Sequence, residues 1–166
     1  MRRISLPILL GCVLIALAGR SQDLTAQTST HTSVAMDVKT HDPGIKWGPA
    51  PAVLPAGAQL AVLAGDPSGT GEFTVRLKMP NGYRIPPHTH PTDENVTVIE
   101  GTFLVGLGTT FQTAGMLRLP GGGFITAPAR HAHYAEARGA TIVQVNGMGP
   151  FQLTYVNPAD APKGTN

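Results

Sequence analysis

Between residues 59 and 157 apolar and polar positions alternate in short runs, and a glycine, proline, asparagine or aspartate stops most of them. The clearest run is FTVRLKM (73–79), where Phe73, Val75, Leu77 and Met79 fall on one face and Thr74, Arg76 and Lys78 on the other. A period of two residues predicts a half-buried strand. AQLAVLAG (58–65) precedes it and ends at Asp66-Pro67-Ser68-Gly69. Pro80-Asn81-Gly82 turns the chain, after which VTVIE (96–100) and TFLVGL (102–107) flank Gly101 in the manner of a hairpin. MLRLP (116–120) and GFITA (123–127) follow around glycines, and HAHYAEA (131–137), TIVQVN (141–146) and FQLTYVN (151–157) complete the set. The pattern predicts about eight or nine short strands and no helix, in a sandwich or closed barrel; a jelly roll is one way to protect the sheet edges. Phe73, Val75, Leu77, Phe103, Val143, Val145 and Tyr155 are expected to line its interior.

Ahead of the strands, residues 19–58 are polar and then rich in Pro, Gly and Ala (HDPGIKWGPAPAVLPAGAQ) with no helical period. They predict an extended N-terminal arm whose Trp47 docks on the domain. Residues 1–18 read differently. Arg2 and Arg3 precede an apolar run from Ile4 to Leu17, and Ala16-Leu17-Ala18 supplies a small-x-small cleavage signal. This is the pattern of a secretory signal peptide, and its roughly 14 apolar residues fall short of the ~20 that span a bilayer. Ala26 offers a later cleavage position, and the paired arginines faintly suggest twin-arginine export. The expected organisation is a signal peptide over 1–18, an arm over 19–58 and a barrel over 59–160, in an exported protein, periplasmic or extracellular, without a stable membrane anchor.

Composition narrows the chemistry. The chain has 166 residues, enough for one domain with a sizeable core, and its 20 glycines and 15 prolines suit a turn-rich β protein. Charged residues make 13% and the formal charge is +2, with Lys and Arg scattered, so a nucleic-acid partner is not supported. The one cysteine, Cys12, lies inside the leader. Leu9-Leu10-Gly11-Cys12 resembles a lipid-modification site, but the apolar run continues past Cys12. A mature chain without cysteine has neither a disulfide nor a thiolate ligand, so any metal must be held by nitrogen and oxygen.

Four of the six histidines stand at 88, 90, 131 and 133. In a strand, residues i and i+2 share a face. His88 and His90 therefore point together, and Glu94 joins them if the segment stays extended. Two neutral imidazoles and a carboxylate suit a divalent transition metal. A third imidazole has to come from another strand, and His131 and His133, which share parity, are the candidates. Asp93 has the wrong parity and is expected to cap the turn or meet solvent. Arg84 and Gln144 are near enough to be considered, but neither is expected to touch a substrate.

The spacing Gly82, five residues, His88-x-His90, three residues, Glu94, six residues, Gly101 resembles the first cupin motif without a mismatch. Gly122, Pro128 and His133 fit the second motif. Arg130 stands in its second glycine slot, which suggests a different turn before the strand, and Ala137 stands in its asparagine slot. The resemblance covers about 100 residues, in keeping with one domain of cupin size. It implies a cupin jelly-roll β-barrel in which His88, His90, Glu94 and His133 bind one metal ion, with His131 at the rim or on the surface. Iron, manganese, nickel, copper and zinc all accept such a set.

Cupins with these ligands include dioxygenases, oxalate-degrading enzymes and sugar isomerases; others are metal-binding regulatory or storage modules. The resemblance therefore implies either an enzyme, with Glu94 able to take a proton from a small oxygen-rich substrate, or a module that binds a metal or small ligand without turnover. Cupins often pair through sheet edges, so a homodimer is expected.

Overall fold

The computed structural model describes residues 44–163. The expected signal peptide over 1–18, its alternative end at 26 and residues 19–43 of the expected arm lie outside the described residues. Nine strands follow in order: β1 (Gly48–Pro49), β2 (Gln59–Gly65), β3 (Glu72–Met79), β4 (Arg84–Thr89), β5 (Glu94–Leu107), β6 (Leu117–Pro120), β7 (Phe124–Ala127), β8 (His133–Met148) and β9 (Thr154–Tyr155). A 3-10 turn at Pro158–Asp160 follows β9. The all-β class read from the alternation is the class observed.

The architecture rests on two long strands. Instead of a hairpin at Gly101, residues 94–107 form one strand, and residues 133–148 form another where two were expected. β5 and β8 pair antiparallel along nearly their full length, from Glu94 opposite Gly147 to Leu107 opposite His133. β3 and β4 pair with successive halves of β8 on its other side, and β7 and β6 with successive halves of β5. The sheet is thereby folded into two halves that share β5 and β8.

The fold line lies at Gly101. The β5–β8 register slips between Val98 and Thr102, and Gly101 has φ +81°. Before the slip the buried β5 residues are Val96 and Val98; after it they include Phe103 and Val105. An inserted residue in a bulge shifts the period by one, so that both halves of a bent strand turn apolar side chains to the same core. Glycine is required because a Cβ there would strike the Ala140 carbonyl and the Thr141 side chain. A turn signal and a bulge signal look alike in sequence, which is why Gly101 reads as a hairpin.

Both halves contribute to one core. Val75, Leu77 and Met79 meet Val96, Val98, Phe103, Val105, Val143 and Val145, as the alternation predicts. The described part of the arm packs on it: Leu54 and Ala58 belong to the core, and β1 pairs with β2. The Tyr155 hydroxyl donates to the Val53 carbonyl at 2.8 Å, and the Tyr83 hydroxyl to that of Pro55. Trp47 is half-buried, with the Lys78 Nζ 4.2 Å above its ring. The segment 151–157 is strand only at Thr154–Tyr155; residues 151–153 cross the barrel mouth without sheet pairing.

Candidate metal centre

His88 and His133 are cross-strand partners, brought together by the antiparallel pairing of β4 with β8. Their register requires a slip between Ile85 and His88, where Pro86 and Pro87 stand. Proline cannot donate to a ladder, so the bulge falls where two donors are missing. The chain then bends at Pro91 and Thr92, so it is not extended between His90 and Glu94. Glu94 arrives at the site because β5 starts there, not through shared strand parity.

The three imidazoles form a tight cluster. The ring centroids are 4.9 Å apart for His88 and His90, 4.3 Å for His88 and His133, and 5.3 Å for His90 and His133. All three residues are buried, and one nitrogen of each lies within 4.8 Å of the others. The opposite nitrogens face backbone carbonyls: His88 Nδ1 at 2.7 Å from Pro86 O, His90 Nδ1 at 2.7 Å from Gln152 O, and His133 Nδ1 at 3.0 Å from His131 O. A carbonyl only accepts, so each Nδ1 carries the proton and each Nε2 presents a lone pair. Metal-ligating histidines are oriented in this way. The His90 Nε2 atom is buried without a hydrogen-bond partner. An orphaned buried acceptor facing two other imidazoles fits a metal ion, and the three histidines are placed to hold one.

Glu94 borders the triad, with Oε2 3.4 Å from His90 Nε2 and 3.7 Å from His133 Nε2. Burial alone would raise its carboxyl, but the imidazoles of His133, His90 and His88 together hold it below the ordinary carboxylate range. His133 is balanced the other way. Burial disfavours its cation, yet its contact with Glu94 and its hydrogen bond to the His131 carbonyl leave its pKa raised.

His88 is pushed down to about 3, chiefly by burial and then by the charges of its two neighbouring imidazoles. This sets a pH dependence for metal-free protein. A histidine depressed in the folded state leaves the unfolded chain holding the extra proton, so stability falls as pH drops from about 6.5 towards 3. The raised His133 contributes stability that is lost only as pH rises above about 6.5, so it does not oppose the fall in this window. Chelator-treated protein should therefore unfold at progressively lower urea concentration below pH 6.5, and His88→Gln should flatten that slope.

His131 does not join the cluster. It is exposed, with its Nδ1 3.2 Å from the Ala129 carbonyl, and it precedes β8 instead of sharing the strand parity of His133. The intervening turn does not depart from a glycine turn in the way its sequence suggests. Arg130 itself takes φ +63°, the left-handed conformation that glycine ordinarily supplies. Its N–H donates to the His90 carbonyl at 2.8 Å, and the His131 N–H closes on Pro128 O at 3.1 Å. Asp93 caps this turn by accepting the Ala129 N–H at 2.8 Å. Arg84 pairs with Glu136 at 2.8 Å, and Gln144 accepts from Arg76 at 3.3 Å; neither lines the cavity.

That cavity opens beside His88, Glu94 and His133 and holds about 40 Å³. At ~10–15 Å³ per water it has room for about three. Val75, Leu77, Phe103, Val143 and Val145 line it as expected; Phe73 and Tyr155 are buried but do not. Leu54, Phe151 and Leu153 also line it and were not among the expected lining residues: Leu54 belongs to the arm, and Phe151 and Leu153 to the run 151–157, of which only Tyr155 was expected to face inward.

A family profile, the ChrR cupin-like domain, matches residues 35–152. The chain belongs to this cupin family. No curated protein matches this cupin. Among solved structures it is similar to a candidate acetylacetone dioxygenase from Methylibium petroleiphilum PM1, at 22% identity and TM-score 0.56 over 78% of this chain and 89% of that one. It is also similar to an RmlC-like cupin from Shewanella frigidimarina NCIMB 400, at 15% identity and TM-score 0.52 over 68% of this chain and 90% of that one. Both likenesses concern the fold, and with the family match they make it the cupin jelly roll.

Proposed function

We propose that this cupin is a metal-dependent enzyme of oxygenase or isomerase type, acting on a small, oxygen-rich organic molecule. The observation that supports this reading most is the triad of clustered, buried imidazoles beside a carboxylate at the end of an apolar cavity. His88, His90, His133 and Glu94 would hold one divalent iron, manganese, nickel, copper or zinc ion. When bound, such an ion supplies Lewis acidity toward a chelating substrate oxygen. Three neutral imidazoles and one carboxylate leave a net positive charge of about one on a divalent ion, which attracts an enolate or phenolate oxygen. The backbone carbonyls of Pro86, Gln152 and His131 fix the ring orientations. Apolar walls exclude water and favour a compact, weakly polar body.

Glu94 lines the same cavity, and its lowered pKa keeps it ionised near neutrality, so its carboxylate is the group able to take a proton from the substrate. The test is a screen of flavonols, diketones, oxalate and small sugars against protein loaded separately with each metal, following oxygen uptake and product masses. Acetylacetone leads the diketones because of the name carried by the Methylibium protein. Glu94→Gln should lower kcat by roughly 10²–10⁴-fold. If every metal form is inert and Glu94→Gln alters only metal affinity, the enzyme reading is lost. The second reading, a non-enzymatic metal-binding or small-ligand module, then takes its place; the smallness of the cavity favours it.

Export and pairing belong to the same proposal. The leader motivates secretion to the periplasm or beyond. The sheet edges at β6 and β7, with Leu117 50% and Phe124 58% exposed, offer a surface for a two-fold homodimer. Protein recovered from outside the cytoplasm should begin after Ala18 or Ala26 and sediment as a dimer. An intact Met1 would contradict export, and a monomer at micromolar concentration would contradict pairing.

A further inference from the structure

The small cavity beside the histidines is closed on one side by the segment 149–153, which has no sheet pairing. The Gly149 N–H donates to Gly71 O at 2.9 Å and the Phe151 N–H to Pro67 O at 2.7 Å, so two backbone bonds hold the segment down. Gln152 lends its carbonyl to His90 Nδ1 at 2.7 Å. Between those anchors the Phe151 ring turns inward. Its centroid lies 6.1 Å from the His90 ring, and it packs edge-on at 5.9 Å against Phe73.

Three hollows follow one another here. On the surface a cleft of about 560 Å³ is lined in part by Thr74, Asn95 and Asn146. It shares Phe73, Thr92, Asp93, Gly147 and Met148 with a narrow throat of about 10 Å³ that reaches His90. The throat in turn shares just two residues, Glu94 and Phe151, with the inner cavity. By the ~10–15 Å³ that one water occupies, the throat admits about one. A larger molecule passes only if one of the two shared side chains moves. Glu94 is held by its contacts with His90 and His133, whereas Phe151 is a half-buried ring on an irregular segment.

We propose that Phe151 is the size-setting residue of this site, the ring that separates the histidine cluster from the surface cleft and restricts its ligands to a few heavy atoms. The inference rests on the metal-centre reading but not on turnover. Substrates of the class proposed above would therefore be short ones, and longer homologues would be excluded by the ring. Phe73 lines the throat and packs against this ring, so the control is Phe111, which packs on Tyr134 and lines none of the three hollows.

The test uses the full mature protein loaded with cobalt(II), whose visible bands report both metal binding and ligand binding. Acetohydroxamate and octanohydroxamate present the same chelating head with tails of different length. Wild type should bind the short ligand and discriminate against the long one by at least about tenfold, the scale of a tight apolar pocket. Phe151→Ala should bind both alike, Phe151→Leu should fall between, and Phe111→Leu should behave as wild type. The two Phe151 substitutions guard against a folding defect in either. If discrimination persists unchanged in both, or if Phe111→Leu abolishes it equally, Phe151 is not the size-setting residue. Such a result, obtained with cobalt bands intact, overturns this inference alone, whereas absence of cobalt bands in wild type overturns the metal reading and this inference with it.

Discussion

Removing the imidazole of His88, His90 or His133 will weaken metal binding by at least about 100-fold, while His131→Ala will leave it unchanged. Substitutions one shell away from a metal typically cost ~10–100-fold, so loss of a ligand should cost more. The three rings are buried within one cluster, and their Nδ1 atoms are already committed to carbonyls, so no spare nitrogen on the cluster replaces a lost Nε2. His131 lies exposed and cannot substitute without rebuilding the Pro128–His131 turn. Titration of the stripped variants with zinc by calorimetry measures the effect. Their unfolding midpoints, recorded without metal, separate lost ligation from lost folding. Retained affinity in His133→Ala together with a loss in His131→Ala would reverse the assignment of the third imidazole.

The second large effect concerns stability. Gly101→Ala should cost about 2–5 kcal/mol, whereas Gly82→Ala should cost about 1–2 kcal/mol. Both glycines have positive φ, +81° and +76°. A left-handed alanine carries a strain of ~1–2 kcal/mol at either position. At Gly82 the added Cβ meets nothing within 4 Å, while at Gly101 it meets the Ala140 backbone and the Thr141 side chain. Thr141 is fully buried, and its hydroxyl lies 3.1 and 3.2 Å from the carbonyls of Thr102 and Gly139, between which its one proton is shared, so it has little room to yield. Crowding therefore adds its own ~1–3 kcal/mol. With ~5–15 kcal/mol of total stability in a typical domain, Gly101→Ala can bring this one near its unfolding threshold. Urea unfolding of the two variants checks the difference; equal midpoints would show that the fold line tolerates a side chain.

Much of this molecule was legible in its sequence because strands and short polar spacings are local. The alternation in 73–79 named the buried face of β3 residue by residue. The spacing from Gly82 to Gly101 singled out His88, His90 and Glu94, since ligands on one short segment are constrained by that segment's own geometry. The fate of Gly101 was not local. Whether a glycine between two apolar runs reverses a chain or merely bulges it depends on the strand opposite, and here β8 runs unbroken past the position. The choice between His131 and His133 also lay beyond periodicity, because parity holds only within a strand and β8 begins at His133.

The sequence by itself determined an all-β domain, its main core faces and a short list of histidines from which a metal-holding cluster could be built, because period-two burial and motif spacing are encoded in neighbouring residues. The tertiary structure alone decided how the halves fold together and which groups close the site. Phe151 meets His90, and the Gln152 carbonyl meets its Nδ1, across a sequence separation of about sixty residues. A backbone carbonyl has no residue type to announce it, and a phenylalanine after Pro150 looks like any other core residue until the chain has closed over the barrel mouth.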